Sequence, residues 1–229
     1  IFRDITEKQN LIRKTAHLFN ILESVALLSK NIIKTDKIQN EFKEILKVFG
    51  SVLRVDRSFI GIKTRQEDNI SIQVKHQWSS EDIEPFVDED YNKTYTKDGE
   101  FSEIFTKLEN NEIVDFNNFP VSEKIKNRLK KQEIKSLIIF PLIVNNELWG
   151  ILGFQNIKEN KQWSEEEVHA VSVSKELIAT TISDNLDKQR IYENDIFMNS
   201  VIENLPACVY VKNANDLSYI IWNKTTEIT

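Results

Sequence analysis

Residues 136–167 read Ser136-Leu-Ile-Ile-Phe-Pro-Leu-Ile-Val144, Asn145-Asn146, Glu147-Leu-Trp-Gly-Ile-Leu-Gly-Phe-Gln155 and, a few residues on, Lys161-Gln-Trp-Ser-Glu-Glu-Glu167. Two apolar runs rich in β-branched and aromatic residues flank a two-residue polar turn. Asparagine tolerates positive φ, so Asn145-Asn146 suits the tight hairpin turn whose twist matches that of its strands. Both runs are apolar almost throughout, which predicts a hairpin covered on both faces. Gly150 and Gly153 bring no side chain and let a neighbour pack closely. Ser164 then opens a helix, with Glu167 placed to close a capping box.

Outward from this hairpin, helix and strand signals succeed one another. Asp36 is placed to cap a helix whose apolar face is Ile38, Phe42, Ile45, Leu46, Phe49 and Leu53. Residues 57–63 read as a strand, and residues 70–78 as another. In the second, Ile70, Ile72, Val74, His76 and Trp78 fall on one face, and Ser71, Gln73, Lys75 and Gln77 on the other. That alternation predicts one wet face and an edge position. Residues 81–90 hold Glu81, Asp82, Glu84, Asp88, Glu89 and Asp90 without the Asp-x-Asp-x-Asp-Gly spacing of a calcium loop, and read as a solvated loop. A short helix over 101–108 and a short strand over 112–116 follow. Residues 122–132 form a basic helix whose cations, Lys124, Lys126, Arg128, Lys130 and Lys131, gather where they complement the helix dipole. This reads as a solvated face, not a nucleic-acid patch. In the helix opened by Ser164, the apolar stripe is Val168, Val171, Ile178, Ile182 and Leu186.

The two ends carry further helix. Leu11, Leu18, Val25 and Ile32 recur every seven residues, with Ile21 and Leu28 in the alternate positions and Lys14 as the exception. This coiled-coil-like stripe would span roughly 33 Å at the helical rise. It reads either as a helix packed on its own domain or as a parallel dimer seam. Ahead of it, Asp4-Ile5-Thr6 resembles the exit by which a PAS sensor domain hands over to a signalling helix. At the far end, apolar spacing resumes at Ile196, Phe197, Val201 and Leu205. The stretch Ile202-Glu-Asn-Leu-Pro-Ala-Cys-Val-Tyr-Val-Lys-Asn-Ala-Asn215 resembles the opening of a second PAS domain: a helix, a Leu-Pro turn and a first strand, with residues 218–222 as its second strand.

Composition sets the exclusions. The 229 residues are 40% hydrophobic and 29% charged, with a formal net charge of -6. That acidic balance argues against non-specific nucleic-acid binding. No apolar stretch approaches a membrane span and no signal peptide is visible, so no membrane contact is expected from this segment. The chain opens on Ile1 and reads as a piece of a longer protein. Cys208 is the one cysteine, which leaves no intramolecular disulfide and no CxxC motif and fits a cytoplasmic location. His17, His76 and His169 lack metal-ligand spacing. The sequence offers no phosphate loop and no nucleophile with a base, so no enzyme is expected within this segment.

The hairpin-then-helix ending resembles the GAF family, small-molecule-sensing domains of signalling proteins. So do the His76-Gln77-Trp78 strand end, the Lys107-Leu-Glu-Asn-Asn-Glu-Ile113 stretch before a strand, and Gln132-Glu-Ile-Lys-Ser136 leading into the hairpin. The resemblance implies an α/β (α+β) fold: a central antiparallel sheet of five to six strands with helices on both faces, flanked by long signalling helices. It implies four segments: residues 1–10 as the end of an upstream PAS domain and linker, 11–34 as a signalling helix, 35–187 as the GAF domain, and 188–229 as a linker helix with the start of a PAS domain. Such domains alternate with PAS domains in sensor histidine kinases of two-component systems. The expected function is therefore sensing and signal relay, through a homodimer whose seam is Leu11, Leu18, Ile21, Val25, Leu28 and Ile32 together with the helix over 164–186. Neighbouring PAS and kinase domains of the same chain are the expected partners. The alternatives are a ligand-free dimerisation spacer and the input module of a cyclic-di-GMP signalling protein.

Family members hold different ligands over the sheet. Bilin-binding members attach the pigment through a cysteine, and residues 36–186 contain none, so a bilin is disfavoured here. The Asn-Lys…Phe…Asp-Glu signature of cyclic-nucleotide binders is not found. The members that reduce free methionine sulfoxide need cysteines, and Cys208 lies outside the domain. Haem stays open through His76, against a simpler reading of His76 as a hydrogen-bonded strand-end residue. His76, Trp78, Phe101 and Phe105 are the expected lining of an apolar ligand pocket with one polar handle. Neither His17 nor His169 is followed by the acidic residue of a kinase phosphoacceptor, so any kinase chemistry belongs elsewhere in the parent protein.

Overall fold

In the computed structural model, residues 38–66, 69–84, 95–97 and 99–228 are described. They form two compact units that part between Ile182 and Ser183. The heptad residues from Leu11 to Ile32, the Asp4-Ile5-Thr6 string and most of the acidic segment lie outside the described residues.

The first unit opens with α1 (Ile38–Leu53), which buries Phe42, Ile45, Leu46, Phe49 and Leu53. These recur at the three- and four-residue spacing of one helix face. The helix ends where Arg54 turns left-handed (φ 53°) and the Val55 N–H donates to the Gly50 carbonyl at 3.0 Å. Strands β1 (Arg57–Gln66), β2 (Asn69–Ser79) and β3 (Tyr95–Thr96) follow, then a 3-10 turn (Gly99–Phe101) and α2 (Ser102–Glu109). Next come β4 (Val114–Asp115), α3 (Glu123–Lys131), β5 (Ser136–Val144), β6 (Glu147–Asn156) and α4 (Glu165–Asn204). The strands make one antiparallel sheet in the order β3-β2-β1-β6-β5-β4.

The expected hairpin, β5 and β6, lies inside the sheet between β1 and β4. Asn145 and Asn146 both adopt positive φ (52° and 63°), and nearly every residue of β5 and β6 is buried. The sheet separates two cores. On one face, Ile60, Ile138, Phe140, Leu152 and Phe154 pack with α1 and with Ala170, Val171, Ile178 and Ile182 of α4. On the other, Phe59, Ile72, Leu137, Ile139 and Ile151 pack with Ile104, Phe105 and Leu108 of α2 and Ile125 of α3.

Polar groups fix the junctions. The Glu167 N–H donates to Ser164 Oγ at 3.2 Å, and the Ser164 N–H donates to Glu167 Oε2 at 3.1 Å, which is the reciprocal capping box. Buried Asp56 ties the exit of β6 to the entry of β1: its Oδ2 accepts from the backbone N–H of Ile157 at 2.7 Å and of Lys158 at 2.9 Å. Asp56→Ala leaves both donors unmet, and we expect a loss of about 2–3 kcal/mol, read as a lower urea midpoint.

The second unit holds the end of α4, the hairpin of β7 (Tyr210–Lys212) and β8 (Tyr219–Trp222), and α5 (Lys224–Ile228). Buried Asn223 is its hub. Its Nδ2 donates to the carbonyls of Ile202 (3.0 Å) and Ala207 (2.8 Å), and its Oδ1 accepts from the Val209 N–H (3.0 Å) and Thr226 Oγ1 (2.7 Å). Among the described residues no helix is long and apolar enough to cross a membrane.

Candidate functional site

The face of the sheet under α2 and α3 is not packed solid. Side chains alternate along each strand. Thus Ile151 and Gln155 of β6, Leu137 and Ile139 of β5, Phe59 of β1, and Ile72 and Val74 of β2 all turn towards these helices and line a cavity of about 80 Å3. Phe101, Ile104, Phe105 and Leu108 close one side, and Ile125, Arg128 and Leu129 of α3, with Gln132 at its C-cap, close another. Gly153 permits the arrangement: a Cβ there would lie 2.1 Å from the Phe59 ring.

Three polar side chains reach this apolar space. The Arg128 guanidinium lies over the Phe101 ring, 5.3 Å from its centroid, with Nη2 3.5 Å from Glu100 Oε1. Gln132 stands one turn further along the chain. Gln155 comes from the central strand itself; it is 4% exposed, and its Oε1 has no hydrogen-bond partner among the described residues. Among the described residues no cluster of His, Cys, Asp or Glu is placed to hold a metal.

Of the four residues expected to line a pocket, Phe101 and Phe105 do so and His76 and Trp78 do not. The correction has a local cause. The β1–β2 register shifts between Ile60, opposite His76, and Gly61, opposite Val74. Lys75 is the extra residue, and this β-bulge reverses the alternation beyond it. Ile72 and Val74 face the cavity, whereas His76 and Trp78 face α1. The His76 ring lies 5.0 Å from that of Phe42, and Trp78 packs on Gly50, where a Cβ would meet its ring at 2.0 Å. The residue on which haem ligation rested therefore points away from the cavity. The wet-face reading of β2 also fails in part, since Ser71 is buried beneath β3 pairing.

Burial, and then the charge of Lys75, hold the His76 imidazole below its usual value of 6.5. The unfolded chain takes up this proton at a higher pH than the folded one. Stability from His76 is therefore lost as pH falls below about 6.5. His76→Gln is expected to flatten that part of the stability–pH profile in thermal melts, whatever its effect at neutral pH.

Residues 37–182 match the GAF domain family, and the chain belongs to it. The chain is similar to the methanogenesis regulatory histidine kinase FilI of Methanothrix harundinacea, with 21% identity over 176 residues. The match takes in 76% of this chain and 20% of that protein, so the chain spans about a fifth of this relative's length. The fold resembles the phycocyanobilin-bound GAF domain of a cyanobacterial phytochrome (TM-score 0.61, 20% identity, 72% of this chain and 95% of that chain). It also resembles a far-red absorbing dark state with bound biliverdin (TM-score 0.57, 13% identity, 71% and 98%).

These likenesses correct one expectation. The lack of a cysteine in residues 36–186 does not by itself disfavour a bilin, since the solved structures that share this fold include bilin-bound domains. A cysteine supplies the covalent link to a pigment. The space between sheet and helices is a separate property of the fold, and a missing thiol does not remove it.

Proposed function

We propose that this chain is the sensory and relay module of a sensor histidine kinase, with a small ligand taken between the sheet and α2/α3. The observation that carries the reading is the cavity against β5 and β6, whose other face packs on α1 and α4. Leu137 and Ile139 touch the cavity while Ile138 and Phe140, their neighbours in β5, touch the helix core. A ligand that prefers one arrangement of this sheet biases the packing of those helices by its differential affinity, and by no more than that. Membership of the GAF family and the likeness to a histidine kinase support the reading.

In this proposal kinase chemistry belongs to the parent protein, PAS-like segments flank the GAF domain, and two chains pair in parallel through the 11–32 stripe and the part of α4 up to residue 186. Val173 and Leu177 stand exposed on α4 at 39% each, available to such a pairing. Native mass spectrometry with an absorption spectrum tests both parts. A dimer mass, with a retained ligand or a visible band from haem or bilin, supports the module. A concentration-independent monomer that shows no shift with any added small molecule overturns it. The ligand-free spacer draws on one observation, the small volume of the cavity, and is favoured by a dimer that binds nothing.

A further inference from the structure

We propose that the cavity takes a short-chain amphiphile tail first, with a hydrocarbon group of about three or four carbons inside and the polar end held at a mouth beside Arg128 and Gln132. This rests on the reading of the cavity as a ligand site. The lining is graded by exposure. Leu137, Ile139 and Ile151, which form the sheet floor, are buried. Phe101, Arg128, Leu129 and Gln132 are half-buried. The space therefore approaches solvent between the 3-10 turn and the C-terminal end of α3.

That gradient sets the orientation. Gln155 is the polar residue of the floor, and its side-chain oxygen presents almost no surface. A polar end pushed against the floor would shed its water for a wall made mostly of carbon. At the mouth the same end keeps its water, while each CH2 of the tail gains by leaving it. Arg128 Nη2 lies 3.5 Å from Glu100 Oε1, so the mouth holds both charges and asks no particular charge of the head. Volume sets the length of the tail. A cavity of about 150 Å3 lined by Leu, Ile and Phe holds the six carbons of benzene. On that scale about 80 Å3 holds about three or four.

Straight-chain primary alcohols from ethanol to heptanol, and 1,4-butanediol, make the test. Each is titrated into the 229-residue chain and its Ile139→Val variant, and backbone amide NMR shifts are followed. In the parent the shifts are expected to centre on β5, β6, α2 and α3. Affinity should rise roughly fourfold per carbon up to 1-butanol and level off beyond it. 1,4-Butanediol, which carries a hydroxyl at both ends, should bind at least about tenfold more weakly than 1-butanol. Ile139→Val takes one carbon from the floor, so its levelling should move to 1-pentanol. An affinity still climbing at heptanol overturns the tail length. Equal binding of 1,4-butanediol overturns the tail-first orientation, and a limit unmoved by Ile139→Val overturns the placement of the tail on the floor. Each of these leaves the cavity reading standing. If no alcohol shifts the cavity residues, the cavity reading itself falls.

Discussion

Gly150→Ala is expected to destabilise the domain by about 3 kcal/mol or more, beyond the usual range for an added methyl group. Gly150 lies in β6 between Ile62 of β1 and Leu142 of β5. A Cβ there would sit 2.3 Å from the Gly61 carbonyl oxygen and 3.4 Å from Ile62 Cα. Both obstacles are backbone, so no rotamer change makes room. Relief requires β1 and β6 to separate where their ladder holds the centre of the sheet. The close approach follows from the register shift between Leu142 and Ile143, which leaves Trp149 as the extra residue of β6 and bends that strand. Thermal unfolding of the full chain should show a midpoint lowered by roughly 6–12 °C. A shift of a degree or less would mean that the strands do not approach this closely.

Gly150 belongs to the stretch that made the fold legible, and the reasons are local. Asn145-Asn146, the Ser164 and Glu167 box and the one-sided α1 each state their conformation in a few consecutive residues. The placement of His76 and Trp78 was not legible in that way. Nine alternating residues read as one continuous face, and only the pairing of β2 with Ile60 and Gly61 reveals that Lys75 is inserted between two registers. A bulge is settled by the partner strand, which a strand's own pattern does not contain. Arg128 was missed for a different reason. It sits in a cationic run that reads as solvated, yet a long side chain can lay its stem along apolar surface while its head stays near water. Gln155 did carry a signal: it is a polar residue ending an otherwise apolar strand predicted to be covered on both faces.

The neighbour of Gln155 gives the second large effect. Phe154→Ala is expected to destabilise by about 3–5 kcal/mol, as removal of a fully buried aromatic ring does. Phe154 is 0% exposed. Its ring lies 5.5 Å from Phe49 of α1, 6.0 Å from Phe140 of β5 and 5.8 Å from Trp163 ahead of α4. One side chain thus joins a helix, a neighbouring strand and the approach to α4, and its loss leaves a hollow that three aromatic rings cannot jointly refill. Phe197→Ala is the control, since Phe197 is 64% exposed and an exposed substitution stays within about 0.5 kcal/mol. The cavity offers a sharper one. Phe154 and Gln155 are consecutive in a strand and point to opposite faces, so Phe154→Ala removes nothing that lines the cavity. Below its lowered melting temperature the variant should bind small molecules in the cavity as the parent does. If that binding vanished while the variant stayed folded, the two faces of the sheet would be coupled through β6, as a relay from cavity to α1 and α4 requires. If it persisted, a relay would have to run through β5 instead, where Leu137 and Ile139 stand beside Ile138 and Phe140.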